Sequence, residues 1–530
     1  MSLSKPPRSI SSLALALLAS TGLATAQQTD QTQTPNVAGA GIVKSLAQEI
    51  GAGRGDVMTP LSSKFILERD PFRSIQRGRQ LFQRKFTAAQ GLGPRMNDGI
   101  GNIEIEGAFG AGLADSCGAC HSRPFGSAGV GGNVFTRPES RDAPHLFGLG
   151  LQEMLADEIT RELRAIRTQA ATQAQSSASV VTLPLVSKSI HYGTITALAN
   201  GTIDTSGVDG VNPDLRVRPF FAQGKTISMR EFIVGAFNAE MGLQAVDPDT
   251  AAAAQGQDVV TPSGMLLSGS TDTFEAPPTT NPTLDPDLDG VVNEIPTSLV
   301  DSMEFYLLNY FKPGRGRESL DTEDGERAFR FIGCTTCHVQ DLTIDHDRRV
   351  ADVEVKFDAV RSNRVFNGFF ATAIPLFSVT NDGSGLPTLK RPAANSFKVE
   401  RIFTDFKRHD LGPGFHERNF DGTITTKFMT EPLWGVGTTA PYGHDGRSLT
   451  LEDAILRHGG EAQASRDRFA NLNALRKGQL IAFLNSLVLF SPPDTASNLE
   501  PVNDAAPNFP LNGHGSIKLS VLFNDPNDKE

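Results

Sequence analysis

Cysteine is scarce in this chain, with four residues in 530. A disulfide-built scaffold is thereby excluded, because such folds need cysteines spread along the sequence. Tryptophan occurs once and tyrosine four times. Positive charge is also in deficit: 49 Lys and Arg stand against 60 Asp and Glu, a net charge of −11. That balance argues against a nucleic-acid partner and against docking on an anionic membrane. No later segment has the 18 consecutive apolar residues of a membrane span, so no span is expected. What is present is a 39% hydrophobic content, ample for a core, and a length that suggests two to four units at roughly 150 residues each.

The N-terminus reads MSLSKPPRSISSLALALLASTGLATAQQ. Lys5 and Arg8 form a positive start, Leu13 to Leu23 is an apolar run too short for a span, and Ala24-Thr25-Ala26 fits an A-x-A cleavage site. The alternative is a buried N-terminal helix. The reading adopted is a cleavable signal over residues 1–26, with Gln27 starting the mature chain and export to a periplasm or beyond.

All four cysteines lie in two stretches, CGACH at 117–121 and CTTCH at 334–338. Two isolated C-x-x-C disulfides would close tiny loops. A zinc site uses the same residue types. Neither explains a histidine directly after both pairs. With 10 histidines in 530 residues, chance would give both in about 4 cases in 10,000, whereas C-x-x-C-H is the attachment signature of c-type haem. The thiols Cys117, Cys120, Cys334 and Cys337 would carry two covalent haems, and His121 and His338 would be the proximal iron ligands.

Each motif follows a helical pattern that starts alike: GRQLF from Gly78 to Phe82, and GERAF from Gly325 to Phe329. Each is also followed by a helical pattern, VDSMEFYLLNY near 300–310 and QLIAFLNSL near 479–487. The expected fold is mainly α: two cytochrome c-like lobes, each with one haem and with long loop insertions. The expected division is an N-terminal extension at 27–64, a first lobe at 65–312, a second at 313–490 and a tail at 491–530. KPGRGRES reads as the linker between lobes. Residues 168–180 and 244–284 read as polar or Pro/Gly-rich insertions in the first lobe.

A second repeat sets the lobes apart. AQGKTISMREFIVGA (222–236) aligns without gaps to HDGRSLTLEDAILRH (444–458), each a turn followed by a helix. The second copy begins and ends with histidine, at His444 and His458; the first has Ala222 and Ala236. If the last residue lies over the iron, only lobe two has a second ligand. A six-coordinate haem passes electrons, and an open one binds substrate.

In these residues, and above all in EPLWGVGTTAPYGHDGRSLTLEDAILRHGGEA (431–462), the chain resembles the bacterial di-haem cytochrome c peroxidase superfamily. The nearest likeness is to its di-haem oxidoreductase branch, also called thiol oxidoreductases, with di-haem rubber oxygenases as relatives. The resemblance spans about 72–490. It implies that His458 is the distal ligand of the electron-transfer haem, where methionine is usual, and that His444 sits near that haem's edge; the alternative for His444 is a hydrogen-bonded turn histidine. It also implies an acidic residue over the open haem. Glu240, in FNAEMGL, is the candidate acid–base group, against the alternative of a helix-surface glutamate; Met241 is then core or a ligand. The chain departs from the family in having Ala222 where the peroxidases carry a tryptophan between the haems. Its single tryptophan is Trp434.

Phe220, Phe221 and Phe237 offer an apolar pocket and so an oxygenase reading. His145 is a candidate resting-state ligand of the first haem, and His191 a weaker one. DPDLDGVVNE at 285–294 matches the first half of a calcium loop: Asp285, Asp287 and Asp289 would bind Ca2+, with Glu294 substituting for the absent twelfth-position glutamate, against the alternative of a plain acidic turn. The functions expected are therefore a periplasmic di-haem peroxidase, a di-haem oxygenase acting on an apolar substrate, or a di-haem electron carrier. The partner would be a small cytochrome or cupredoxin donor, or a small-molecule substrate.

Overall fold

The protein is described from a computed structural model, which covers residues 45–94, 114–121, 133–134, 141–309, 316, 318–352, 374–419 and 421–489. The proposed signal, the C-terminal tail and most of the proposed linker lie outside these residues. Among the described residues, no helix is long and apolar enough to cross a membrane.

An opening and a closing helix cross on a glycine, and this happens twice. The first opening helix, Pro71–Gln83, starts with proline in its first turn and Asp70 as cap, accepting from Arg73 N–H. A Cβ on its Gly78 would stand 2.3 Å from both the Ser302 carbonyl oxygen and Tyr306 Cβ of the closing helix, Thr297–Asn309. In the second pair, a Cβ on Gly325 of Leu320–Phe331 would lie 2.0 Å from the Gln479 carbonyl oxygen and 2.8 Å from Phe483 Cβ, both on Ala474–Asn485. Only glycine lets these backbones approach so closely. One turn later the repeated phenylalanine meets the closing helix: Phe82 lies 5.9 Å from Tyr306 and Phe329 5.5 Å from Phe483, ring centre to ring centre.

The fold is mixed rather than mainly α. The described residues hold twelve α-helices, together with short strands that form sheets of two or three. One hairpin, Val181–Ser187 with Ile190–Ala197, turns on Lys188 and Ser189, both at positive φ (49° and 65°). Two-residue turns of that kind usually announce themselves by Asn-Gly, and here the signal is absent.

Both expected insertions are built structure. Residues 168–177 continue the 29-residue helix Leu149–Ser177, whose Ala170 and Ala174 are fully buried. Ala and Gln are good helix formers, and this favours the helix despite the polar composition. Residues 244–284 include the helix Pro248–Ala254, capped by Asp247, and the hairpin Asp258–Val260/Leu266–Ser268. Ala253, Met265, Leu267 and Phe274 from this segment form a small core with Ile227. Its Pro, Asp and Gly residues serve as caps and turns.

This segment is tied down by charge. Arg230 is wholly buried and bonds to Asp247, to Glu304 at 2.7 Å and to Asp301 at 3.0 Å. It thereby joins the helix Met229–Met241 to the 247–254 segment and to the first closing helix. The main apolar core is shared: Leu81, Phe147 and Met303 belong to the same cluster as Ile344, Ile402, Phe406 and Trp434. A smaller cluster around Phe329, Phe403, Phe469 and Phe483 lies within the second repeat.

Candidate functional site

Cys117–His121 is a single helical turn, and Cys334–Thr336 is a tight 3-10 turn that delivers Cys337 and His338. The four cysteines are free of disulfides and half-buried. Burial pushes the Cys117 and Cys334 thiols up to about 12, so they are neutral, unpaired thiols available for covalent attachment.

The two histidines are oriented in the same way. His121 Nδ1 lies 2.7 Å from the Pro144 carbonyl oxygen, and His338 Nδ1 lies 3.0 Å from that of Phe403. A carbonyl fixes the proton on Nδ1 and leaves Nε2 as the metal-binding nitrogen. Burial holds both rings down at about 4, against the pull of those carbonyls. Ligation needs such neutral imidazoles. Phe82 and Phe329 pack beside them, at 6.5 and 5.9 Å from His121 and His338. These residues fit a c-type haem at each motif.

The turn–helix repeat is reproduced at its start in its bridge, its glycine and its cap. Phe220 bridges Thr226, and Tyr442 bridges Ser448. Gly224 and Gly446 take φ of 61° and 64°. Ser228 caps by accepting from Glu231 N–H, and Thr450 by accepting from Asp453 N–H. The helices then diverge. In lobe two the helix Leu451–Arg457 stops, and His458 follows with φ −58° and ψ 125°. His458 Nδ1 lies 2.7 Å from the Ala454 carbonyl oxygen, so its Nε2 is the nitrogen left for a ligand. Among the influences on His338, after burial and the Phe403 carbonyl, is the charge of His458, which places the two imidazoles near one another.

In lobe one the helix runs on through Ala236 to Met241. Its inner face, Arg230, Ile233, Val234, Phe237 and Met241, is buried. The face with Gly235, Ala236, Ala239 and Glu240 is half-buried, and a Cβ added at Gly235 would meet nothing within 4 Å. Burial first, then the charges of Glu240 and Asp115, raise the Cys120 thiol. Glu240 therefore stands near the first attachment site, on a helix that offers no histidine there. Met241 is core.

The other expected residues fall as follows. His444 stacks on Phe428 with ring centres 4.2 Å apart and has Phe415 at 6.5 Å; Phe415 in turn meets His458 at 5.2 Å. His145 has both nitrogens engaged, Nε2 with the Trp434 carbonyl oxygen at 2.6 Å and Nδ1 accepting from Phe147 N–H at 3.2 Å. It directly follows Pro144, which holds the Nδ1 side of His121, so it stands behind the proximal ring. His191 is exposed on a hairpin. Phe237 faces Phe86 at 6.4 Å, while Phe220 and the exposed Phe221 gather on Phe232; the phenylalanine trio is thus split. Carboxylate oxygens of Asp285, Asp287 and Asp289 lie within 4.8 Å of one another. Glu294 is turned to Gln244, accepting its N–H at 2.7 Å.

One cluster had no sequence signal. His409 Nε2 lies 2.9 Å from Asp405 and its Nδ1 2.6 Å from Glu461, and Cys337 is adjacent. Burial disfavours charge on His409, but Asp405 and Cys337 outweigh it and lift the ring to about 11. No recognised motif spans these positions; Asp405 and His409 are four residues apart, and main-chain contacts such as Thr404 N–H to the Val339 carbonyl and Gly459 N–H to the Leu411 carbonyl bring Cys337 and Glu461 to them. A charged cleft of about 310 Å³, lined by Glu318, Glu326, Arg327, Arg330 and Arg401 among others, includes none of the haem-site residues.

Residues 337–487 match the family described as "Di-haem oxidoreductase, putative peroxidase". This stretch is similar to that family and makes up less than a third of the chain. The matched stretch contains His338, His444 and His458. No curated protein matches the chain. Among solved structures, a Kuenenia stuttgartiensis hydrazine synthase pressurised with xenon aligns over 82% of this chain and 94% of its own, at 12% identity and a TM-score of 0.32. A MauG-like protein associated with microbial copper homeostasis aligns over 39% of this chain and 56% of its own, at 17% identity and a TM-score of 0.19. Neither score reaches that of a shared fold. The di-haem oxidoreductase match supports a di-haem redox function.

Proposed function

We propose that the protein is a periplasmic di-haem c-type oxidoreductase of peroxidase type. The observation that carries this reading is the difference between two otherwise matching turn–helix units. One stops at His458, whose charge is felt at His338; the other continues through Ala236 and carries Glu240 to the neighbourhood of Cys120. Cys334, Cys337, His338 and His458 would hold a six-coordinate haem that receives electrons. Cys117, Cys120 and His121 would hold a haem with an open position.

The bound haems supply one-electron redox chemistry and a site for peroxide. The protein's own part is proton handling and positioning. The Pro144 carbonyl fixes the tautomer of His121. The small, half-buried residues at 235, 236 and 239, where a Cβ at Gly235 would meet nothing within 4 Å, would leave room for a small substrate beside a bound haem. Glu240 takes the proton from one peroxide oxygen and returns it to the other, so that the O–O bond breaks with water as leaving group. The balance is one hydrogen peroxide, two electrons and two protons to two waters. The electrons come from a small periplasmic cytochrome or cupredoxin. Peroxide is kept ahead of the oxygenase reading because the three phenylalanines do not line one pocket. Calcium at Asp285, Asp287 and Asp289 is an accessory proposal, supported by their convergence.

Low-temperature EPR of the purified ferric protein, with haem content fixed beforehand, tests the reading. One high-spin and one low-spin signal are expected. Two low-spin signals that ignore peroxide and cyanide would replace it with an electron carrier. Oxygenated product from an alkene, without peroxide turnover, would replace it with an oxygenase.

A further inference from the structure

The two proximal histidines are joined by an unbroken run of covalent and hydrogen bonds. His121 Nδ1 donates to the Pro144 carbonyl at 2.7 Å. The next residue, His145, donates from Nε2 to the Trp434 carbonyl at 2.6 Å. The preceding residue, Leu433, donates its N–H to the Ile402 carbonyl at 3.1 Å. The next residue, Phe403, offers its carbonyl to His338 Nδ1 at 3.0 Å. Between the two imidazoles, everything is main chain except the ring of His145.

Two features make this run specific. The Phe147 N–H donates to His145 Nδ1 at 3.2 Å, so the proton must be on Nε2, the nitrogen that reaches Trp434. The Trp434 ring is buried and lies against Gly148, where a Cβ would be 2.3 Å from an indole carbon. This holds the 433–435 segment against the first lobe. Two other main-chain bridges among the described residues, Met429 N–H to the Ala222 carbonyl at 2.7 Å and Arg408 N–H to the Gly210 carbonyl at 2.8 Å, end on neither histidine.

We propose that electrons pass between the two haem sites along this run, with His145 as its one side-chain link; the proposal rests on the di-haem reading above. The step moves a single electron. The iron held by His338 goes from ferrous to ferric as the iron held by His121 goes from ferric to ferrous, with no bond made or broken and no proton transferred. A one-electron donor supplies the electron to the His338 side. His145 is a positioning residue in this scheme, since it touches the Trp434 carbonyl and not the reacting atoms.

The test uses the holoprotein with both haems loaded, and measures electron transfer between them after flash reduction, alongside each haem's potential. Haem content and EPR come first, and a protein without two haems of distinct spin state would overturn the underlying reading rather than the route. His145→Met keeps the volume and removes the donor, replacing a hydrogen bond by a looser contact of ~3.5–4.0 Å. Transfer is expected to slow on the order of tenfold with both potentials unchanged. His145→Gln, which restores an N–H near the position of Nε2, is expected to recover most of the rate. Trp434→Phe keeps the carbonyl and is expected to leave the rate within about twofold. A His145→Met rate equal to wild type at equal driving force would overturn the proposal. If that variant fails to fold, the Trp434→Phe result still decides: a tenfold loss there would assign the route to the indole ring.

Discussion

His458 Nδ1 stands 2.7 Å from the carbonyl oxygen of Ala454, one turn back along its own helix. The bond anchors the ring just where the helix ends and leaves Nε2 as the nitrogen for a ligand. Removing the ring should therefore remove a ligand and little else.

His458→Ala is expected to convert the second haem from low-spin to high-spin, as read by EPR and by the visible spectrum of the ferric protein. His458→Met should retain a low-spin haem and raise its potential, because Met/His ligation does so. A low-spin spectrum that persists in the alanine variant would exclude His458 as the ligand.

The glycine crossings predict overpacking. Gly325→Ala places a methyl 2.0 Å from the Gln479 carbonyl oxygen, and Gly78→Ala places one 2.3 Å from that of Ser302. Each backbone must shift to accept it. A loss of about 1–3 kcal/mol is expected for each, seen as a lower denaturation midpoint in urea. Alanine at the exposed-side Gly235, which meets nothing within 4 Å, should not have this effect.

Arg230 predicts a larger loss. It is wholly buried among Asp247, Asp301 and Glu304. Arg230→Met leaves these carboxylates without their common cation and should cost about 3–5 kcal/mol. Thermal unfolding measures it. Because Arg230 lies in the first turn of the helix that carries Glu240, loosened packing should also broaden the spectrum of the first haem more than that of the second.

His409 predicts a pH dependence. Its folded value is raised to about 11, above the unfolded ring at about 6.5. The stability it contributes is fully present below pH 6.5. Above that, the unfolded chain loses its proton while the folded one keeps it. Stability then falls by up to about 1.4 kcal/mol per pH unit. The advantage of wild type over His409→Gln should accordingly shrink as pH rises from 6.5 towards 11. In the haem-loaded protein the Cys337 sulfur is a thioether and carries no charge, so the window should close at a lower pH than in the haem-free chain. Unfolding of both variants across the range checks the sign.

The haem motifs, the helix pairs and the offset between repeats were legible because each is set by local spacing. Gly78 and Gly325 could be read as matching helix starts, but not as crossing points, since their partners lie more than 150 residues away in each case. The helix at 168–177 was misread because its stabilising contact is with a hairpin further along the chain, not with its own sequence pattern. His145 looked like a ligand from its chemistry. Its placement depends on the carbonyls of Pro144 and Trp434, and main-chain groups leave no trace in residue type. The Asp405–His409–Glu461 cluster was invisible for the same reason: main-chain contacts, rather than a motif, bring it together.

The shared core has a kinetic meaning. Phe147 and Met303 from the first repeat belong to one apolar cluster with Ile402, Phe406 and Trp434 from the second. Domains joined by small polar interfaces swing, and the separation of groups they carry fluctuates with them. Here one packed interior spans both repeats, and Phe403, next to its Ile402, packs on Phe329 and Phe483 of the second helix pair, so the gap between the two reactive centres is a constant of the fold. Its throughput should depend on temperature and driving force and be indifferent to solvent viscosity.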